Sequence, residues 1–299
     1  FMVVCEISYS IMNLLVVVIG LSLNIAAFFI VINAKCSPSN IFLLNLTISD
    51  LICLTFLAVL LFSCTPSTVL FLCPINSFVY YSSIYGSTLF LTALSVDRYL
   101  GVAFPIKYKL YRKPRYAVIG SIVIWVCAMT NCSVVLVIAM KWKPNVTESN
   151  CFSDCYTHFT KEQLLIVLPF RLELCIMLFF IPLLISIFCY SNFVKIVWSS
   201  PYIPRERKQR AVGLALTTLF TFIVCFSPYN ISHIIGFFSS KNVQWRNIVI
   251  TMAMYNTCFD PIVFYFSSTA IQKSLKRFCR RSIQTRNSYR VNIEIIITR

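Results

Sequence analysis

The sequence predicts an all-α membrane protein: a bundle of seven transmembrane helices with a short amphipathic helix after them, one domain over 1–299. Three observations predict it. The 299 residues are 58% hydrophobic and 12% charged, whereas a soluble domain carries roughly a quarter charged residues. Seven apolar runs each reach the about 20 residues that cross a bilayer. The basic residues lie between those runs, so the formal net charge of +16 reads as membrane topology and not as nucleic-acid binding.

The runs are 9–33, 41–64, 74–104, 115–140, 163–198, 207–239 and 245–268. The first is long enough to be a span rather than a cleavable signal peptide. Pro169, Pro182, Pro228 and Pro261 fall inside spans, where neighbouring helices can satisfy the backbone groups that a proline frees. Charge sets the expected orientation. Lys35, Lys107, Lys109, Arg112, Lys113, Arg115, Arg205, Arg207, Lys208 and Arg210 lie on one side, joined by Lys273, Lys276, Arg277, Arg280 and Arg281 of the tail. The other side is poor in cations, so the positive-inside rule puts the C-terminus in the cytoplasm and the N-terminus outside the plasma membrane. Asn145-Val146-Thr147 then falls in an outer loop as a glycosylation acceptor.

Past the last span, Ile271, Leu275, Phe278 and Cys279 share one helical face. The pattern predicts an amphipathic helix at about 270–280 lying on the inner leaflet, followed by a short tail over 281–299. Cys279 is either a palmitoylation site or an unmodified apolar cysteine. Most of the fourteen cysteines sit within apolar runs, where a thiol acts as a small hydrophobe. No pair has zinc spacing. Cys73, Cys151 and Cys155 fall in outer segments, where disulfides are open to them.

Seven spans alone would suit a transporter as well as a receptor. Asp97-Arg98-Tyr99 ends the third span, and ionisable groups at such depth are functional by default. The triplet resembles the D/E-R-Y switch of rhodopsin-like G-protein-coupled receptors. Asn24, Asp50, Trp125, Pro182, Tyr190, Pro228 and Asp260-Pro261 stand where that class has its landmarks, in order along the chain. The resemblance implies a disulfide from Cys73 to the second outer loop, with Cys155 preferred to Cys151. It implies that Asp97, Arg98, Tyr99 and Tyr190 form the switch that meets the G protein. Asp50, Ser87 and Asp260 match the class's sodium site, and two carboxylates in apolar surroundings do not both ionise without a cation; a shared proton is the alternative. No other cofactor is expected, and nothing marks a catalytic site. Two departures stand out: Phe264 replaces the tyrosine of N-P-x-x-Y, and Lys208 stands where many receptors place an acid facing Arg98.

The likeness extends to the short-chain free fatty acid receptors. It runs through Tyr-Ser-Ser-Ile-Tyr at 81–85, Asp-Arg-Tyr-Leu-Gly-Val-Ala-Phe-Pro at 97–105, Leu-Pro-Phe-Arg-Leu-Glu-Leu-Cys at 168–175, Pro-Tyr-Asn-Ile-Ser-His at 228–233 and Phe-Tyr-Phe-Ser-Ser at 264–268. It is dense from about 79 to 280, and the chain is identified as a divergent member. From the residues alone, Arg171 and Arg246 lie near the outer ends of spans five and seven, with His233 and Tyr229 near that of span six. Two converging guanidiniums suit a carboxylate. The resemblance implies that Arg171, Arg246, His233 and Tyr229 hold it; Tyr81, Tyr85 and Phe170 are either ordinary aromatic core or bulky rings that shorten the pocket. The bland readings are that Arg246 snorkels to the interface, that Arg171 pairs with Asp154, that His233 is a wall residue, and that Glu173 serves helix packing. Asn131 and Thr157 replace a span-four histidine and a loop acid of that family.

The expected function is activation of a heterotrimeric G protein, of the inhibitory and Gq classes by resemblance, by a short-chain carboxylate. One rival keeps the class and takes medium or long fatty acids or hydroxy acids. Another is a monocarboxylate carrier, which should show inverted repeats and broken helices at mid-membrane; the sequence shows neither.

Overall fold

The computed structural model describes residues 2–62, 66–141, 160–243, 245–267 and 272. The described residues are helical, without a strand. The elements are α1 (Met2–Ile32), α2 (Pro38–Phe62), α3 (Pro66–Ala103), α4 (Pro105–Tyr111), α5 (Pro114–Lys141), α6 (Lys161–Cys175), α7 (Ile181–Ser199), α8 (Arg205–Phe220), α9 (Ser227–Ser239), α10 (Arg246–Met254) and α11 (Asn256–Ser267). The seven predicted spans correspond to α1, α2, α3, α5, α6 with α7, α8 with α9, and α10 with α11. Six of them are long and apolar enough to cross a membrane by length and composition. The remaining one, α3, is a single helix of 38 residues and packs against α2, α5 and α7. A helix enclosed by others can carry polar residues on several faces, and Ser82, Ser83, Ser87, Thr88, Thr92 and Ser95 are all buried.

The bundle is apolar outside and polar within. Ile122, Val123 and Val126 of α5 are exposed, as lipid contact requires, while buried polar side chains join the helices. Asn24 Nδ2 donates to Thr257 O at 2.7 Å, linking α1 to α11. Trp125 Nε1 donates to Asn45 Oδ1 at 3.0 Å, linking α5 to α2. Tyr80 OH donates to Ile250 O at 2.7 Å, linking α3 to α10.

Spans five and six each contain a π turn, Ile176–Phe180 and Thr221–Phe226, immediately before Ile181-Pro182 and Ser227-Pro228. A proline inside a helix removes a donor and crowds the carbonyl four residues back, and the wider turn relieves that crowding. Neighbours occupy the carbonyls nearby: Thr88 Oγ1 donates to Leu178 O at 2.7 Å, and Ser227 Oγ to Phe222 O at 2.9 Å. At the start of α6, Thr160 and Gln163 form a reciprocal capping box.

The structure differs from expectation in three places. α3 begins eight residues before the predicted 74 and carries Pro74 inside it. A short helix, α4, occupies the connection after the third span. Glu173 does point away from Arg171, but it is exposed rather than packed between helices. The amphipathic helix at about 270–280 with Cys279, the tail, Asn145, Cys151, Asp154, Cys155 and Thr157, and the side chain of Cys73, lie outside the described residues.

Candidate ligand-binding site and switch

At one end of the bundle, five expected residues come together from four spans. Arg171 of α6, His233 and Tyr229 of α9, Arg246 of α10 and Tyr81 of α3 are all buried. Arg246 starts α10, yet it is only 4% exposed, so it does not snorkel to an interface. Its guanidinium reaches His233 Nδ1 at 3.1 Å and donates to Tyr81 OH at 3.4 Å. It also lies 5.4 Å from the centre of the Tyr229 ring. Tyr229 stacks on Tyr81, with centroids 6.2 Å apart, and meets His233 edge-on at 4.4 Å. Arg171 and Arg246 are near enough to repel one another, and His233 feels both charges. Tyr85 is fully buried beside them, and Phe170 is half-buried.

These contacts decide the imidazole tautomer. A guanidinium has only donors, so His233 Nδ1 must accept from Arg246 and the proton must sit on Nε2. That Nε2 is buried with no hydrogen-bond partner among the described residues. An orphaned buried donor costs about 1–3 kcal/mol, a cost that an acceptor at this atom would remove. Among the described residues no acidic side chain lies against Arg246. Among the described residues Arg171 Nη1 donates to Asn242 Oδ1 at 3.1 Å. Sequence reasoning missed Asn242, because only folding brings the connection between α9 and α10 over α6.

The opposite end carries the Asp97-Arg98-Tyr99 triplet. Arg98 Nη2 donates to both the carbonyl and the hydroxyl of Ser267, each at 2.6 Å. Both oxygens of Asp97 are occupied: Ser39 Oγ donates to Oδ2 at 2.5 Å, and Tyr108 OH donates to Oδ1. Burial first, then the Asp97 carboxylate, holds the Tyr108 phenol above its usual range, so it remains a donor. Tyr190 OH shares a hydrogen bond with Thr218 Oγ1 at 3.2 Å, joining spans five and six. Lys208 Nζ donates to Trp198 O at 2.7 Å and lies over that indole at 6.0 Å. A cleft of about 430 Å³ opens beside Arg98, Arg207, Arg210, Phe266 and Ser267. Ser267 was not foreseen either; it follows the span-seven motif by only a few residues.

Between the two ends, Asp50, Ser87 and Asp260 are fully buried. The two carboxyls lie within hydrogen-bonding reach of one another, and no other group among the described residues bonds to their four oxygens or to Ser87 Oγ. Phe264, in place of the motif tyrosine, is buried and apolar. The orphaned set is all oxygen, which suits a hard monovalent cation rather than a transition metal. No group of three His, Cys, Asp or Glu occurs among the described residues.

Residues 13–264 match the family described as 7 transmembrane receptor (rhodopsin family). The chain belongs to that family, a family of receptors and not of enzymes, and is a multi-pass protein of the plasma membrane. Its relatives place it as a divergent member among the free fatty acid receptors. It is 46% identical to human free fatty acid receptor 2 over 205 residues, 69% of this chain and 62% of that relative. It is 39% identical to mouse free fatty acid receptor 3 over 281 residues, 91% and 86% of the two chains. It is 37% identical to human G-protein coupled receptor 42 over 276 residues, 90% and 79%. With the first of these, the chain matches somewhat less than two thirds of the relative's length.

Proposed function

We propose that this protein is a receptor for short-chain carboxylic acids that activates a heterotrimeric G protein, of the inhibitory or Gq class. The observation that carries the reading is the unpartnered His233 Nε2 beside Arg246. A carboxylate has two oxygens and several lone pairs. One oxygen would accept from His233 Nε2 while the guanidiniums of Arg246 and Arg171 share the charge. Tyr229 and Tyr81 would flank the anion with their stacked rings. The names of the relatives support the ligand class.

In this reading the N-terminus faces outside and the C-terminus the cytoplasm, as loop charge argues. The ligand draws spans five, six and seven together at the outer end, and the π turns ahead of Pro182 and Pro228 pass that movement along. The acid shifts a two-state equilibrium toward an inner face on which Arg98 has left Ser267 for the G protein. Asp50, Asp260 and Ser87 would hold a sodium ion when the receptor is at rest; its charge would let both carboxylates ionise. A Cys73–Cys155 disulfide, glycosylation at Asn145 and palmitoylation at Cys279 remain part of the proposal.

The test is nucleotide exchange on a purified G protein against unbranched acids of two to eighteen carbons. A maximum at two to five carbons supports the reading. A maximum at ten or more assigns the pocket to longer acids, and acid-driven uptake without exchange assigns the protein to carriers.

A further inference from the structure

Among the described residues, Arg246 is a buried cation whose contacts are all with neutral groups. They are His233 Nδ1 at 3.1 Å, the Tyr81 hydroxyl at 3.4 Å and the Tyr229 ring at 5.4 Å. The guanidinium of Arg171 adds a second positive charge close by instead of cancelling the first. Burying an ion is costly, and protein interiors keep one only when it is paired. The unpartnered His233 Nε2 carries a proton, because Nδ1 accepts from Arg246. Tyr81 accepts from Arg246 as well, which leaves its own O–H to donate. Side chains from spans three, six and seven thus present donors around one guanidinium, and none of them carries a charge to oppose it.

A carboxylic acid meets this need only while it is bound. A water at Nε2 would complete the hydrogen bond and leave the charge uncompensated. We infer that a chloride ion occupies the Arg246–His233–Tyr81 site of the acid-free receptor, accepting from the guanidinium, the imidazole Nε2–H and the phenol. Chloride is the abundant small anion of the medium outside a cell. It has no proton to place and no preferred bond angle, so donors converging from three spans suit it better than bicarbonate, whose hydroxyl needs an acceptor. The acid and chloride then compete for one set of donors. If chloride half-fills the site at about 30 mM, about 150 mM chloride raises the acid concentration for half-occupancy about sixfold. The competition rests on the carboxylate reading above; the halide site rests on Arg246, His233 and Tyr81.

The test uses the full chain in nanodiscs of neutral lipid, without G protein. Sodium and ionic strength are fixed, so the mid-bundle carboxyl pair sees no change, and chloride is exchanged for the bulky anion morpholinoethanesulfonate. Bound chloride is read from broadening of the chlorine NMR line, and the folding of each variant from its melting transition in the chloride-free salt. The wild type should broaden the line saturably, and Arg246→Ala should lose the saturable part. His233→Phe keeps a ring beside Tyr229 and removes the Nε2–H; it should weaken chloride about tenfold, the loss of one hydrogen bond to a charged group. Lys161→Gln/Lys241→Gln removes two exposed cations of the same end and should change binding less than about twofold, because exposed charges are screened by salt. Propionate should narrow the line competitively. Broadening by the wild type no larger than that by a folded Arg246→Ala, or an equal loss in the lysine variant, overturns the proposal. So does tighter binding of bicarbonate than of chloride, which would make an oxyanion the occupant. Chloride that binds through Arg246 and is not displaced by propionate supports the halide site and overturns the carboxylate reading instead.

Discussion

Arg98 is bound to Ser267, its Nη2 donating to both the carbonyl and the hydroxyl at 2.6 Å. Among the described residues no acid of span six is bonded to it: Glu206 faces Arg210 at 3.9 Å, and Lys208 is turned to the Trp198 carbonyl. The third span is thus tied to the end of the seventh. A hydrogen bond to a charged group is worth about 1.5–3 kcal/mol, and the hydroxyl supplies one of the two. Ser267→Ala should therefore raise ligand-free nucleotide exchange by several-fold, with the acid response retained. Unchanged basal exchange at matched surface expression would show that this contact does not restrain the switch.

Gly213 tests the same contact sterically. A Cβ there would meet the Phe266 ring at 2.5 Å, closer than carbon atoms approach. Phe266 precedes Ser267, so a displaced ring carries the serine off Arg98. Gly213→Ala should lower thermal stability by about 1–3 kcal/mol, the usual cost of overpacking, and raise basal exchange. A variant that melts like wild type with ordinary basal exchange would mean that the ring rotates aside freely.

Lys208→Glu should act in the opposite direction. It removes the contact to Trp198 and puts an acid next to Arg207, which lines the cleft beside Arg98, as a new restraint on that arginine. Basal exchange should fall, and the acid concentration for half-maximal response should rise a few-fold. No change in either, measured on the same G protein, removes Lys208 as a determinant of resting activity.

The parts legible in the sequence were those that depend on composition and spacing. Apolar runs mark spans whatever their packing, and Arg171, Tyr229, His233 and Arg246 stand out because polar residues at helix ends of a membrane chain demand a partner. The π turns were not legible, since they depend on Thr88 and Ser227 reaching particular carbonyls. Nor were Asn242 and Ser267, small polar residues of ordinary kind whose roles come from what the fold places opposite them. Asp154, a candidate partner for Arg171 in the sequence, lies outside the described residues, while Asn242 is a partner within them. That contact predicts a modest effect: Asn242→Ala should change acid potency by about twofold to tenfold, through the position of Arg171 rather than loss of its charge.

The carboxyl pair in mid-bundle yields a salt prediction. If sodium satisfies Asp50, Asp260 and Ser87, replacing choline chloride by sodium chloride at constant ionic strength should lower ligand-free exchange in the wild type. Asp50→Asn should abolish that dependence, since one carboxylate and an amide no longer need a cation. A wild type indifferent to sodium, with basal exchange that varies with pH, would favour a proton shared by the pair.

The anchor residues permit the most quantitative prediction. Acetate has four heavy atoms, and a ceiling of roughly 1.5 kcal/mol per heavy atom limits its binding to about 6 kcal/mol, a dissociation constant of tens of micromolar at best. Each buried methylene adds only about 0.8 kcal/mol, so the carboxylate supplies most of the affinity for so short an acid. On the proposed reading Arg246 would meet the anion while it also holds His233, whereas Arg171 is itself held by Asn242. Arg171→Ala and Arg246→Ala should each weaken the response by roughly tenfold to more than a hundredfold, with Arg246→Ala the more severe because it also frees the imidazole. Lysine at either position should recover only part, since a point charge cannot reproduce the planar fork. His233→Ala should cost less, about one hydrogen bond to a charged group, or roughly tenfold to a hundredfold. The primary amide of the same acid should be inactive. If both alanine variants reach the surface and respond to acids as the wild type does, the carboxylate is anchored elsewhere.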